Sequence, residues 1–350
     1  MQKIIKEGLT VGKVEKLREE IEYLRFRDTF RGIERGTAII GERVIWGYPH
    51  IKRIFVLGKG LERNIKGMIY AEEKIDGFNV RIANVDGKTY AFSRGGFLDS
   101  FVTEKAREMG LDGFFRDHPS YVLCGEMIGN TPYTAPSKDF DVRLFVFDVD
   151  TGDGSYLSPQ KKYDLLKKYG INCVPKLGKC KDQEEAKKLI RAMIKGKKEG
   201  LVFRGDDGKS IVKYVTPFTD VNDIEKSSDM FFDMPIGFYY QRILRSAFFI
   251  DEFGLESGKY SEKLGNAFYS GLIKAIRTAK KGEDVDAEFE ILIKDKKIWK
   301  DIQKHMSRDV GLEKLWERDD NGKTRIRFRK IYRKTTKSLG ALASGKGLID

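Results

Sequence analysis

The sequence predicts an α+β protein built on antiparallel sheets, with a small N-terminal module and helical plus α/β C-terminal modules. Three observations carry that prediction. Between residues 66 and 216, short apolar strand patterns recur with turn signals such as Asp86-Gly87 and Asp207-Gly208 between them. Helical stretches with recognisable starts and stops interrupt those strands. From 217 to about 285 the strand signals vanish, and beyond 286 strands and a helix return. At 350 residues the chain exceeds one ordinary core and reads as two to four domains.

Residues 1–65 form an accessory module. Leu17, Ile21, Tyr23 and Leu24 recur at helical spacing among charges, which predicts a helix there. Ile39-Ile40 through Trp46 reads as strand and turn, 51–57 as a further strand, and Gly58-Lys59-Gly60 as a break. In 66–216, strands are predicted at 67–74, 78–84, 89–93, 121–127, 142–149, 200–204 and 211–214. Helices are predicted at 100–109, 158–169 and 183–194. Ser158-Pro159 supplies an N-cap and a first-turn proline, and Gly110 and Gly170 supply C-terminal stops. In 217–285, Phe231-Phe232, Phe238-Tyr239-Tyr240 and Ala247-Phe248-Phe249-Ile250 fall in helical patterns. The aromatic density of 237–253 exceeds what one helix stripe buries, which predicts a homodimer interface. In 286–350, a strand is predicted at 287–293, a helix at 300–306 and a basic strand at 324–330.

A composition of 40% hydrophobic and 12% aromatic residues builds packed interiors and excludes a disordered chain. The net charge of +13 is more than a densely charged surface needs and points to a polyanion partner, nucleic acid first. Cys124, Cys173 and Cys180 form no C-x-x-C pair, and His50, His118 and His305 are scattered. Neither a disulfide framework nor a zinc site is indicated, which places the chain in a reducing, cytoplasmic compartment. No apolar run approaches the ~20 residues that cross a bilayer, and the N-terminus lacks a signal peptide's apolar centre.

The chemistry centres on Lys74-Ile75-Asp76-Gly77, which follows an apolar run and the acids Glu72 and Glu73. A lysine at a strand end, with glycine three positions on, suits an amine held in a tight pocket and aimed at phosphorus. The partners follow in order. Asn79 stands five residues on. Ser93-Arg94-Gly95-Gly96 closes the next strand, with glycines that let backbone approach a ligand. Gly125-Glu126-Met127, Phe145-Val146-Phe147-Asp148, Glu199-Gly200-Leu201-Val202 and Ile211-Val212-Lys213-Tyr214 come after. Singly, each is ordinary: Phe147 is a core residue, Arg94 a solvated turn, Glu126 and Glu199 strand-end acids, Lys213 an edge-strand charge. Their joint order carries the functional reading.

That order resembles the covalent nucleotidyltransferase superfamily, which comprises ATP-dependent DNA and RNA ligases and mRNA capping enzymes. Asn79 looks like RNA ligases, because DNA ligases usually carry arginine there. The N-terminal module, the aromatic helical segment and the basic tail 325–333 resemble the archaeal, RNA-circularising ligase type. The resemblance implies an antiparallel-sheet, ATP-grasp-like catalytic domain that uses ATP and Mg²⁺ (or Mn²⁺) on single-stranded RNA. It implies Lys74 as nucleophile and Lys213 as second catalytic cation; Ile211, two residues earlier, is not basic, so only Lys213 serves. It implies nucleotide contacts from Glu72, Asn79, Arg94, Glu126, Phe147, Glu199 and Lys213, with Phe147 on adenine, and metal at Glu126 and Glu199. An ordinary lysine, with pKa about 10.4, is protonated near neutrality, so neighbouring cations and burial must help expose the amine. A capping-type guanylyltransferase and a DNA ligase are rivals of the same chemistry. A non-catalytic RNA-binding protein on this scaffold is the rival of another class.

On the basic strand, Arg325, Arg327 and Arg329 share one face against Ile326 and Phe328. Lys330, Arg333, Lys334 and Lys337 extend the patch, which predicts contacts to RNA phosphates. Two strings imitate a phosphate loop, 340–347 and Gly208-Lys209-Ser210. The first ends in Gly347 with no following helix, and the second lacks its first glycine, so both are rejected.

Overall fold

The computed structural model describes residues 1–134, 136–306 and 310–347. Two sheets carry the motifs. One has four antiparallel strands in the order Val142–Asp150, Val122–Gly129, Phe78–Val85, Lys88–Ser93. The other has five, in the order Lys176–Cys180, Ile69–Glu73, Gly200–Arg204, Ile211–Val215, Lys52–Arg53. Its pairs are antiparallel except the last, where Lys52–Arg53 runs parallel to Ile211–Val215. Period-two patterns set these strands: Val80, Ile82, Leu123, Met127, Leu144 and Val146 point into one apolar cluster. At the hairpin tip, Asp86 and Gly87 both take positive φ (50° and 78°), as a two-residue turn between right-twisted strands requires.

The N-terminal module differs from the sequence expectation. Residues 17–24 are not helical; Val14–Arg18 and Glu22–Phe26 form a hairpin that continues through Ala38–Ile40 and Arg43–Ile45 as an antiparallel meander. The helix lies earlier, at Gln2–Thr10. The spacing that imitates a helix arises because Leu17 sits opposite Tyr23 across a short turn. Gly58-Lys59-Gly60 is likewise no break but lies inside the helix Leu57–Asn64. Tertiary context overrides propensity there: Glu252, far along the chain, accepts the Leu57 backbone N–H at 2.8 Å and so caps that helix. Ser158 does stand at the N-cap of Pro159–Lys168, but its side chain makes no capping bond.

The remaining elements pack onto the two sheets. Helices Pro217–Ser227, Gly237–Phe253 and Ser257–Lys280 follow the five-stranded sheet. Phe249 and Phe253 join the core formed by Leu201, Phe203, Val212 and Tyr214. Asp286–Ile293, Lys323–Ile331 and Gly311–Asp320 form a third sheet, whose Phe289, Ile291, Ile326 and Phe328 share the core of the four-stranded sheet. Residues 340–347 are the end of helix Arg333–Ala343 and a turn, and Gly208 lies in a tight turn whose Asp207 accepts from the Lys209 and Ser210 N–H groups. Among the described residues no helix is long and apolar enough to cross a membrane.

Candidate active site

A cavity opens between the two sheets. The five-stranded sheet supplies one wall. Glu72 pairs with Val202, and Val202 with Lys213, so the three stand in a row across the sheet and all line the cavity. Lys74 follows the Ile69–Glu73 strand, and its backbone N–H donates to the Gly200 carbonyl at 3.0 Å. That bond brings the two chain segments together, and Lys74 Nζ meets Glu199 Oε1 at 2.5 Å. The four-stranded sheet supplies the opposite wall, where Asn79 stands directly across from Glu126. Gly77 is needed for this approach: a Cβ there would lie 2.5 Å from the Met127 carbonyl oxygen. Phe147 falls at a register shift between Val146 and Asp148, a bulge that re-aims one side chain, and it lines the cavity edge-on to Tyr48 at 5.0 Å.

A buried charge network backs one side of the cavity and contributes Tyr48, Glu72 and Arg204 to its lining. Arg204, 2% exposed, donates from Nε to Glu72 at 2.7 Å and from a terminal nitrogen to Asp148 at 2.8 Å. Tyr48 donates to Asp148 at 2.5 Å. Lys162 donates to Glu72 at 2.5 Å and to the Phe147 carbonyl at 2.7 Å, and Tyr163 donates to Glu72 at 2.6 Å. Burial pushes Glu72 up, but Arg204 and Lys162 outweigh it and hold the carboxyl below its ordinary range. Glu72, expected from the resemblance to contact nucleotide, therefore has both oxygens committed to protein partners. From the cavity wall it fixes Arg204 and Lys162. Sequence reasoning missed Tyr48, Lys162 and Arg204. The available signal was Arg204, a charge at the end of an otherwise apolar strand.

Other charges at and beside the cavity are shifted by burial; Glu199 meets Lys74 but is not itself a lining residue. Burial pushes Glu126 up to about 7, with Glu199 and Asp76 adding repulsion against the pull of Lys74. Burial also raises Glu199 above its ordinary range despite Lys74. Burial lowers Lys213 to about 8, helped by Arg53, Lys74 and Arg94. Among the described residues, the buried Asn79 Oδ1 and Glu199 Oε2 find no hydrogen-bond partner. Buried polar atoms are normally paired, so these two are available to a ligand. Arg94 is exposed and reaches the cavity from its turn. At Gly96 the glycine is required by the protein itself. Gly96 takes φ 81°, and a Cβ there would lie 2.4 Å from the Gly36 carbonyl oxygen. Gly96 docks the N-terminal module, and beside it Arg25 donates to the Gly95 carbonyl at 2.7 Å.

An aromatic wall, unpaired cations and an orphaned amide oxygen fit a nucleotide. Among the described residues no group of three or more His, Cys, Asp or Glu converges as a metal cage. Glu126 and Glu199 fit instead a hard divalent cation that takes its other ligands from phosphate and water. The raised Glu126 has a stability consequence. Folded protein binds a proton there between about pH 4.5 and 7 that the unfolded chain releases, so this support is lost as pH rises through that window. Glu126→Gln removes the ionisation. It should raise the thermal midpoint of nucleotide- and metal-free protein at pH 8, by about 1–3 kcal/mol in stability, with the gain vanishing near pH 5. A gain that does not change with pH would refute the assignment.

The basic strand lies off this cavity. Arg325 binds Asp320 at 2.7 Å and Glu290 at 2.8 Å, Arg327 binds Glu288 at 2.7 Å, and Arg329 binds Asp286 and Glu313 at 2.8 Å. Lys330 does not extend that face as expected. It is 8% exposed, sits 4.0 Å above the Phe289 ring, and burial pushes it down to about 8. Arg333 and Lys334 are exposed at the start of the last helix. On helix Gly237–Phe253, Phe249 and Phe253 are core, whereas Tyr240, Ile243, Leu244 and Phe248 face outward.

Comparison with known proteins places these features in context. The family model described as RNA ligase matches residues 67–215, and that described as Ligase Pab1020 C-terminal region matches 227–346. An uncharacterised protein of Methanocaldococcus jannaschii is 30% identical over 93% of this chain and 89% of its own. A structure from Aquifex aeolicus, provisionally described as an ATP-dependent DNA ligase, superposes over 100% of both chains with a TM-score of 0.93 and 31% identity. A structure of an archaeal ATP-dependent RNA ligase superposes over 100% of this chain and 96% of that one, with a TM-score of 0.92 and 27% identity.

Proposed function

The chain belongs to the RNA ligase family, and from that premise we propose that it uses ATP to join or circularise single-stranded RNA bearing 5′-phosphate and 3′-hydroxyl ends. The observation that carries this reading is Lys74 Nζ held 2.5 Å from Glu199 in the cavity that Asn79, Arg94, Glu126, Phe147 and Lys213 line. In the first step the Lys74 ammonium sheds its proton, with Glu199 the acceptor within reach, and the free amine attacks the α-phosphorus of ATP. An N–P bond forms, the bond to the β-phosphate oxygen breaks, and pyrophosphate leaves with the electron pair. In the second, a 5′-phosphate oxygen of RNA displaces Lys74 from the adenylyl group. In the third, the 3′-hydroxyl attacks the adenylated end, a phosphodiester forms and AMP departs. Lys213 stabilises the charge that develops on phosphorus at each stage. Mg²⁺ or Mn²⁺ at Glu126 and Glu199 would supply further neutralisation of phosphate charge.

Phe147 is assigned the adenine. Base–aromatic stacking contributes about 1–3 kcal/mol, so Phe147→Ala should raise the ATP concentration for half-maximal adduct formation about 5- to 150-fold. The maximal rate should move far less. An unchanged concentration dependence would remove Phe147 from the base pocket.

The other parts follow as proposals. The chain divides at about 65, 216 and 285 into accessory, catalytic, helical and basic C-terminal parts, and works in the cytoplasm. The outward row Tyr240, Ile243, Leu244 and Phe248 is the homodimer face. RNA reaches the exposed Arg333 and Lys334 first; Arg325, Arg327 and Arg329 join only by giving up their acids. A DNA ligase is the second reading, favoured by the description of the Aquifex relative. Offering 5′-phosphorylated RNA strands and nicked duplex DNA side by side decides it. Circular or concatenated RNA supports the first reading, and sealing of DNA alone defeats it.

A further inference from the structure

The segment that gives Tyr48, Pro49 and Ile51 to the cavity wall continues into the strand Lys52–Arg53. Arg53 is the register partner of Lys213, and the Ile54 N–H donates to the Lys213 carbonyl at 3.1 Å. Residues paired across a ladder project from the same face, so Arg53 lies on the side that Lys213 presents to the cavity. Among the described residues Arg53 has no ion pair, and its Nε is buried without a partner. The acids that pull on it, Asp220 and Glu199, are already engaged, Asp220 by Arg245 and Glu199 Oε1 by Lys74. Burial and the neighbouring Arg245 depress the guanidinium. Burial, then Lys213, Arg94 and Arg53, depress the nearby His50. Unpaired cations gathered on a partly buried wall are complemented by an anion of high charge.

Strand order adds a direction. From the strand that Lys74 follows, the sheet runs through Gly200–Arg204 to the Lys213 strand and then to Arg53, at about 4.8 Å per step. In-line attack at the α-phosphorus expels the leaving group away from the nucleophile, and Arg53 stands beyond Lys213 from Lys74.

We propose that Arg53, with His50 beside it, forms a second phosphate subsite that holds the β- and γ-phosphates of the nucleotide and the pyrophosphate they become. The proposal rests on the ligase reading above. The 5′-phosphate of RNA has the same chemistry, so the test separates the two sources.

Preformed enzyme–AMP adduct is exposed to inorganic pyrophosphate, which reverses the first step, or to 5′-phosphorylated RNA, which draws the second. In Arg53→Gln the pyrophosphate concentration for half-maximal reversal should rise about 10- to 100-fold, the loss of one charge-assisted contact. Transfer to RNA should stay near the wild-type rate, and Arg53→Lys should recover part of the loss. Pyrophosphate alone should raise the thermal midpoint of wild-type protein and not that of Arg53→Gln, which also reports whether the variant is folded. Unchanged reversal in Arg53→Gln overturns the subsite, and a defect confined to RNA transfer reassigns it to RNA. A wild type that forms no adduct overturns the ligase reading itself.

Discussion

Incubation with ATP and Mg²⁺ should add one AMP to the wild-type chain at Lys74, and none to Lys74→Ala. The geometry leaves little latitude. Nζ of Lys74 is fixed by the backbone bond to Gly200 behind it and by Glu199 at 2.5 Å in front. Lys213, the other lysine lining the cavity among the described residues, lies two strands away. Loss of a covalent nucleophile costs on the order of 10⁶ in rate, so adduct formation should fall below detection. Folding should survive, because Lys74 is partly exposed and contributes a single ion pair. Intact mass followed by peptide mapping reads the result, with GTP as the parallel nucleotide. Labelling by GTP alone would move the chain to capping-type chemistry. Equal labelling of wild type and Lys74→Ala, or label at another lysine, would remove Lys74 from the mechanism. RNA binding with no label from either nucleotide would favour the non-catalytic scaffold.

Much of the catalytic region was readable because its signals are local. Period-two alternation located most of its strands, and the structure brings Lys74, Asn79, Arg94, Glu126, Phe147 and Lys213 to one cavity. The unreadable parts arise from pairing at long range. Arg204 meets Glu72 across 132 positions and Lys162 meets it across 90, so no window of sequence contains either bond. The bulge at Phe147 and the docking of Gly96 on Gly36 are likewise properties of packed backbones. The helix expected over 17–24 failed because a hairpin with a short turn also brings residues of that spacing together. The arginine strand is an intermediate case. Asp286, Glu288 and Glu290 alternate with the same period as Arg325, Arg327 and Arg329, and the antiparallel register sets acids among arginines. Compositional excess alone suggests a free basic surface, whereas the pairing of strands shows a largely neutralised one.

Arg204→Met should be the most destabilising single change in the catalytic region, costing about 3–5 kcal/mol. The arginine is fully enclosed and bonded to two carboxylates that are themselves 1% exposed, Glu72 and Asp148. Burial alone would depress it, but Asp148 and Glu72 hold its guanidinium well above the ordinary value. Methionine matches the volume and leaves the acids short of a counterion, which is the costly half of breaking a buried pair. The sign of the pH response follows. In wild type, Glu72 is depressed, so its contribution is present above the unfolded value near 4.5 and lost only as pH falls below it. In Arg204→Met, burial of Glu72 is opposed by Lys162 alone among its two main cations, so protonation relieves the variant. The stability gap to wild type should therefore narrow as pH falls from 8 toward 5. Adding Glu72→Gln should recover part of the loss at pH 8, a coupling that a double-mutant cycle in denaturant measures. Since Arg204 also steadies Asp148, and through it Tyr48 beside Phe147, ATP should bind more weakly to whatever fraction stays folded. A loss under about 1 kcal/mol with no dependence on pH would mean that water replaces the guanidinium, and the network would then not be what holds the Tyr48–Phe147 wall in place.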